Sequence, residues 1–340
     1  MVAAKRGRCY STIAVNLSTG TRRNWRKFCG KSKAVSASWQ TCRGDSFRLF
    51  FGTNAALIST AFRGIVKRFL LKICRPFFVV GLRNATFTCL GKTDGGGAQV
   101  HAIASVAAFA EYVGAQFVHS PLRHVEHCPP NLSMADFCQQ WESVVSLFAF
   151  PSATGEKFTS YQVPTETLKF FKDVAMLKTR GRLICLPHAH FLTDYIPGIY
   201  ELLRPYSRPP LKPSNQCLQI AVHVRRGDVG PCGRNSERYS PDEVIRHQIE
   251  TVREQCGAKS QVTIVTEDPE PGFIRMFADC TVVTHENPLE ALALLIDADV
   301  LVMAKSSFSF VAGLLSKGRV YYSDFWSSPQ PSWSVVPVAS

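Results

Sequence analysis

Acidic residues are nearly missing from the first quarter of this 340-residue chain. Of its 39 Lys and Arg, 17 lie at or before Arg83, but of its 26 Asp and Glu only Asp45 does. The formal charge is therefore +16 up to Arg83 and −3 beyond it. A net +13 would usually suggest a nucleic-acid partner, but duplex binding needs a positive face on the folded body, and here the excess sits in a leader. That leader also lacks a long apolar run. Its longest uncharged stretch, residues 49–62 (LFFGTNAALISTAF), has 14 residues, short of the roughly 20 that a spanning helix needs. Twelve cysteines are present, eight of them after residue 84, yet no two have C-x-x-C spacing, which argues against zinc ribbons and thioredoxin-type chemistry. No internal repeat is visible. The glycine run Gly95-Gly96-Gly97 does not complete G-x-G-x-x-G, since Val100 stands where the last glycine is needed.

Three origins fit the leader: a signal anchor, an Arg/Ser-rich organelle transit peptide, or an incorrectly assigned start. The body cysteines fit either an oxidising compartment or buried free thiols. Sequons at Asn84 and Asn131 suit a Golgi or other secretory location. His188/His190 and the group His124, His127 and Cys128 can be drawn as metal ligands, but no second cluster at ligand spacing supports them.

From residue 218 onward the pattern is regular. Apolar runs at 218–224, 261–266, 281–284, 300–303 and 319–322 alternate with helical stretches at 241–255, 269–277, 288–296 and 307–316. Such β-α-β-α alternation predicts a parallel sheet covered by helices on both faces. A second α/β unit begins near residue 85, with a strand at 86–90, a glycine turn at 94–97, a helix at 98–113 capped by Gly114, and a strand at 116–119. Between the two units, helices are expected at 141–150 and 165–177, and four prolines within 204–215 read as a stiff connection. The expected organisation is a targeting or stem segment at 1–84, an acceptor-side Rossmann-like domain at 85–205, a linker at 206–217 and a donor-side Rossmann-like domain at 218–340.

The strand IAVHVRRGD ends in His223, Arg225, Arg226 and Asp228. Alternation sends Val222 and Val224 to one face of the sheet and His223 and Arg225 to the other. Ligands of open α/β sheets bind at the carboxyl ends of strands, and two guanidiniums there suit a diphosphate, whose oxygens match the planar fork of arginine. The competing reading is surface ion pairing with Asp228. A second anion site is expected where the strand at 300–303 leads through Lys305 into Ser306, Ser307, Phe308 and Ser309, because a serine-capped helix start presents free N–H groups and a positive helix end. Gly96 and Gly97 read either as a turn without Cβ clashes or as close approach of a ligand. Asp297-Ala298-Asp299 has a spacing that can hold a divalent metal, but it falls where a helix hands over to a strand, which favours capping. Glu290 reads as a contact to a base or ribose, or as an acid placed near a helix start.

These blocks resemble the inverting fucosyltransferases of the α1,2/α1,6/protein-O superfamily. The matching segments are H-x-R-R-G-D at His223 to Asp228, VTIVTEDPE, which is similar to that family's strand ending in T/S-D-D-P, ADVLVMAKSSFSF, and the G-G-G-A-Q opening with its helix. Ala98 stands where that opening carries Asn, and Glu290 is one residue out of register with the family's acid. The resemblance implies a GT-B-like pair of Rossmann-like domains and metal-independent transfer from GDP-fucose to a hydroxyl of a glycan or glycoprotein. It implies that Arg226, with Arg225, holds the donor phosphates and stabilises the leaving group. His223, Glu290, Ser306, Ser307 and Phe308 would line the same site, with Gly96 and Gly97 across the cleft. Asp228, Asp94 and Asp268 are open candidates for the base. The alternatives are another nucleotide-sugar donor, or an inactive glycan-binding or scaffold protein with the same fold.

Overall fold

The computed structural model describes Leu82 and residues 85–90, 92–146, 149–152, 158–160, 183–187, 196, 198–206, 217–233, 235–257, 259–325 and 327–336. The basic leader, Asn84, the expected helix at 165–177, His188, His190 and most of the proline-rich stretch lie outside the described residues.

The first sheet is built from β1 (Thr86–Thr88), β2 (Gln116–Phe117), β3 (Phe158–Ser160) and β4 (Leu183–Cys185) in the order β2-β1-β4-β3. All three pairings are parallel. Between β1 and β2 runs α1 (Gly96–Val113), whose sequence is apolar nearly all round and which is correspondingly buried along its length. It stops at Gly114, where φ of 68° gives a left-handed cap whose N–H reaches the carbonyls of Ala110 and Glu111. The next helix, α2 (Met134–Val145), starts about two turns earlier than the expected 141–150. Ser133 caps it by accepting from the Asp136 N–H and donating to the Asp136 carboxylate. The apolar run after residue 143 drew the expectation toward the C-terminus, whereas the S-x-x-D cap decides where the helix begins.

The second sheet holds β5 (Leu218–Val224), β6 (Ser260–Thr266), β7 (Thr281–Val283), β8 (Val300–Val302), β9 (Arg319–Tyr322) and β10 (Ser334–Val335), ordered β10-β9-β8-β5-β6-β7 and parallel throughout. Its helices are α3 (Asp242–Cys256), α4 (Pro271–Met276), α5 (Pro288–Asp297) and α6 (Ser307–Leu315). Each expected strand and helix of this half is present, with bounds that move by at most two residues; the two-residue β10 was not foreseen. Alternation along the strands divides the packing. Ile220, Val222 and Val224 lie in one cluster with Ile245, Ile249 and Val252 of α3 and with Phe273 and Phe277. Ala221, Val265, Leu301 and Met303 lie in the other with α5, α6 and α1. Helices therefore cover both faces, as expected, and the second cluster runs without a break from β5 through α6 and α1 to Phe87 of β1. The α/β architecture with two parallel sheets is what the sequence reading anticipated.

Candidate functional site

The chain order of the second sheet reverses between β5 and β8, since β5 leads outward to β6 and β7 while β8 leads the other way to β9 and β10. In open parallel sheets the crevice at such a switch point, beyond the carboxyl ends of its two strands, is where ligands bind. Here β5 runs out into His223, Val224 and Arg225, and β8 runs out through Lys305 into Ser306.

His223 is buried, at 8 % exposure, and its ring lies 5.4 Å from that of Phe308 in the first turn of α6. Its Nδ1 has no hydrogen-bond partner. Burial, helped by the Arg225 charge, lowers its pKa to about 3, so the ring is neutral near pH 7. Ser306 caps α6, its Oγ accepting from the Phe308 N–H at 3.2 Å. Lys305, half-buried beside this helix start, has no ion pair among the described residues. At the switch point the positive start of α6 thus meets His223 of β5, with Lys305 and Arg225 adjoining these two elements in sequence.

Arg225 extends on the His223 side. Its Nη2 and Nε bind Asp228 Oδ1 at 2.7 and 3.0 Å, and its Nη1 lies 3.9 Å from Glu267. Asp228 is further approached by Asn235 at 3.4 Å. Gly227 makes this sharp turn feasible: its φ is +70°, and a Cβ there would sit 2.7 Å from Glu267 Oε2.

Two expectations are corrected. The joint grip of two adjacent arginines is not what the structure builds. Arg226 follows Val224 to the opposite face, where its Nη2 binds Asp242 Oδ1 at 2.5 Å and the Ser240 carbonyl at 3.1 Å. Its guanidinium stacks on Tyr239 at 4.6 Å and faces Phe273 at 5.6 Å. The physical reason is the period of two, which sends consecutive side chains at a strand end to opposite sides. Nor are Gly96 and Gly97 open to a ligand. A Cβ on Gly96 would meet the Trp141 ring at 2.3 Å, and one on Gly97 would lie 2.6 Å from the Phe308 Cα. These glycines let the start of α1 pack against α2 and the start of α6.

Glu290 stands on the first turn of α5, exposed, with its carboxylate 3.1 Å from His285 Nδ1 rather than against the other expected residues. Ser307 lies in the first turn of α6, half-buried. Of the candidates for a base, Asp228 is held by Arg225 and Asp94 by Lys92 at 3.0 Å. Glu267, beside Asp268 at the end of β6, was not singled out in the sequence. Its carboxyl is pushed above the usual range, chiefly by desolvation and further by Asp228 and Asp268, with Arg225 and His127 opposing. The D-x-D segment is structural, since Asp299 accepts from the Gln219 N–H at 2.9 Å. Among the described residues no three metal-ligating side chains gather, all eight cysteines are free, and no helix is long and apolar enough to cross a membrane. A groove of about 1660 Å³ lies away from the switch point, between α2 and the α5–α6 pair, and is lined by residues such as Gln140, Val144, Leu292 and Leu314.

No protein-family profile matches the chain, and no curated protein matches it in sequence. Solved structures resemble it in shape. The fucosyltransferase NodZ from Bradyrhizobium is 13 % identical, with a TM-score of 0.40 over 70 % of this chain and 95 % of its own. NodZ α-1,6-fucosyltransferase co-crystallised with GDP is 11 % identical, with a TM-score of 0.39 over 71 % and 95 %. The E. coli heptosyltransferase WaaC with ADP-2-deoxy-2-fluoro heptose is 11 % identical, with a TM-score of 0.34 over 74 % and 91 %.

Proposed function

We propose that the protein is an inverting glycosyltransferase of GT-B-like organisation that transfers L-fucose from GDP-fucose to a hydroxyl of a glycan or glycoprotein. The observation that carries this reading is the convergence, at one switch point, of the H-x-R face of β5 and the serine-capped start of α6, joined by the His223–Phe308 contact. Residues 218–340 form the donor half and 85–205 the acceptor half. In the reaction, the acceptor oxygen attacks the anomeric carbon, the bond from that carbon to the β-phosphate oxygen breaks, and GDP departs. Arg225, Lys305 and the N-terminus of α6 stabilise the charge on the leaving diphosphate, a contribution worth about 3–4 kcal/mol for one well-placed donor. The proton of the attacking hydroxyl passes to Glu267, which stands solvent-exposed at the carboxyl end of β6 beside Arg225 and whose pKa is raised. A secretory location is proposed with it, supported by the Asn131 sequon, which is exposed just ahead of α2.

The test pairs nucleotide binding with turnover. GDP should raise the melting temperature of the full chain more than UDP, ADP or CMP, and labelled GDP-fucose should be consumed in the presence of glycan acceptors. Arg225→Ala should fold and lose transfer by about a hundredfold or more. Wild-type turnover by folded Arg225→Ala would refute the assignment. A second reading, a non-catalytic glycan-binding protein of the same fold, draws on the engagement of Arg226 by Asp242. It predicts glycan binding with neither GDP binding nor donor consumption.

A further inference from the structure

The connection from β5 to α3 spans residues 225–241 and contains Gly227, Gly230 and Gly233, two of them at positive φ. Such a loop has many conformations to lose, and Arg225, at its start, must nevertheless be held in place. One planar group closes it. The Arg226 guanidinium donates from Nη1 to the Arg225 carbonyl at 2.9 Å, and from Nη2 to the Ser240 carbonyl at 3.1 Å and the Asp242 carboxylate. The first of these acceptors begins the loop, the second lies near its end, and the third is in the opening turn of α3. Tyr239 and Phe273 hold the plane of the group. Only 14 % of the side chain is exposed.

We propose that Arg226 is a positioning residue rather than a phosphate ligand: clamped to Asp242, it fastens the 225–241 loop and so fixes the backbone from which Arg225 reaches the diphosphate. This rests on the transferase reading above. To reach a diphosphate at the switch point, Arg226 would have to leave Asp242 and swing from the α3 side of the sheet to the α6 side. A lysine cannot replace it, because one ammonium on a flexible stem does not supply the in-plane fork that serves three acceptors together.

The clamp is tested on the full chain with Arg226→Lys, Asp242→Asn and the double variant, each checked for folding by circular dichroism. The readouts are GDP-fucose turnover, GDP affinity, and hydrogen exchange over residues 227–240. Each single variant should lower kcat by about ten- to a hundredfold, as small misplacements of a reacting group do, while GDP affinity falls by less than it does in Arg225→Ala. The double variant should be no slower than the slower single one, because both remove the same clamp. Exchange in the loop should rise in all three. Asp242→Asn isolates the role, since a guanidinium that binds phosphate directly would be freed by that change. Wild-type or faster turnover in Asp242→Asn together with loss in Arg226→Lys would overturn the proposal, as would unchanged exchange in the loop. Both outcomes leave the transferase reading standing. Absence of GDP binding and donor consumption in the wild type would instead sink that reading and the positioning role with it, whatever the exchange data show.

Discussion

The three glycines at the start of α1 give a prediction whose sign must be worked out position by position. Replacing glycine by alanine in a helix ordinarily stabilises by about 0.5–1 kcal/mol, because less backbone freedom is lost on folding. At Gly97 the new methyl would lie 2.6 Å from the Phe308 Cα and 2.9 Å from its N. Both atoms are backbone, in the first turn of α6, so neither can rotate away. Overpacking of this kind costs about 1–3 kcal/mol, which exceeds the gain. At Gly96 the obstacle is the Trp141 ring, which is 1 % exposed and wedged against Phe137 and Phe308. At Gly95 nothing lies within 4 Å, and its φ of −59° and ψ of 148° suit alanine. Gly96→Ala and Gly97→Ala should therefore lower the melting temperature, at about 2–4 °C per kcal/mol for a body of this size, whereas Gly95→Ala should stay within about 2 °C of wild type. Differential scanning fluorimetry of the three variants checks the ranking. If Gly97→Ala melted like wild type and lost only GDP affinity, the glycine would be serving ligand approach and the packing argument would be wrong.

Glu267→Gln should lower turnover by about a hundredfold or more, as loss of a general base does. The group is a carboxyl with a raised pKa and works deprotonated, so wild-type kcat/KM should fall on the acid side at a higher pH than an ordinary glutamate would give. Glu267→Asp should retain that limb, and a pH profile identical in wild type and Glu267→Gln would remove the assignment. Asp279, bonded to Arg246 and Arg253 at 2.7 Å each, has its pKa lowered to about 2 by Arg253 first and Arg246 next. A depressed carboxylate contributes stability that is present above its unfolded value and is lost as the pH falls through about 2. Asp279→Asn should thus cost about 1 kcal/mol at pH 7, the half-exposed pairs being screened, and the gap to wild type in thermal melts should close below pH 4.

The periodicities alone determined the second half of the chain. Short β-rich runs separated by proline-started helices left one arrangement, a parallel sheet covered on both faces, because each apolar stripe had to meet a partner. Gly114 ended α1 for a reason that is local, the left-handed backbone that only glycine adopts freely. The same alternation already separated His223 and Arg225 from Arg226, although residue types alone suggested a paired grip. What the sequence left open depended on contacts between distant segments. That Arg226 meets Asp242, that Gly97 meets Phe308, and that Glu267 comes beside Arg225 are consequences of strand order, which sets neighbours across 16, 211 and 42 positions of chain. Local pattern fixes which way a side chain points from its own strand, and only the assembled sheets decide what stands there to receive it.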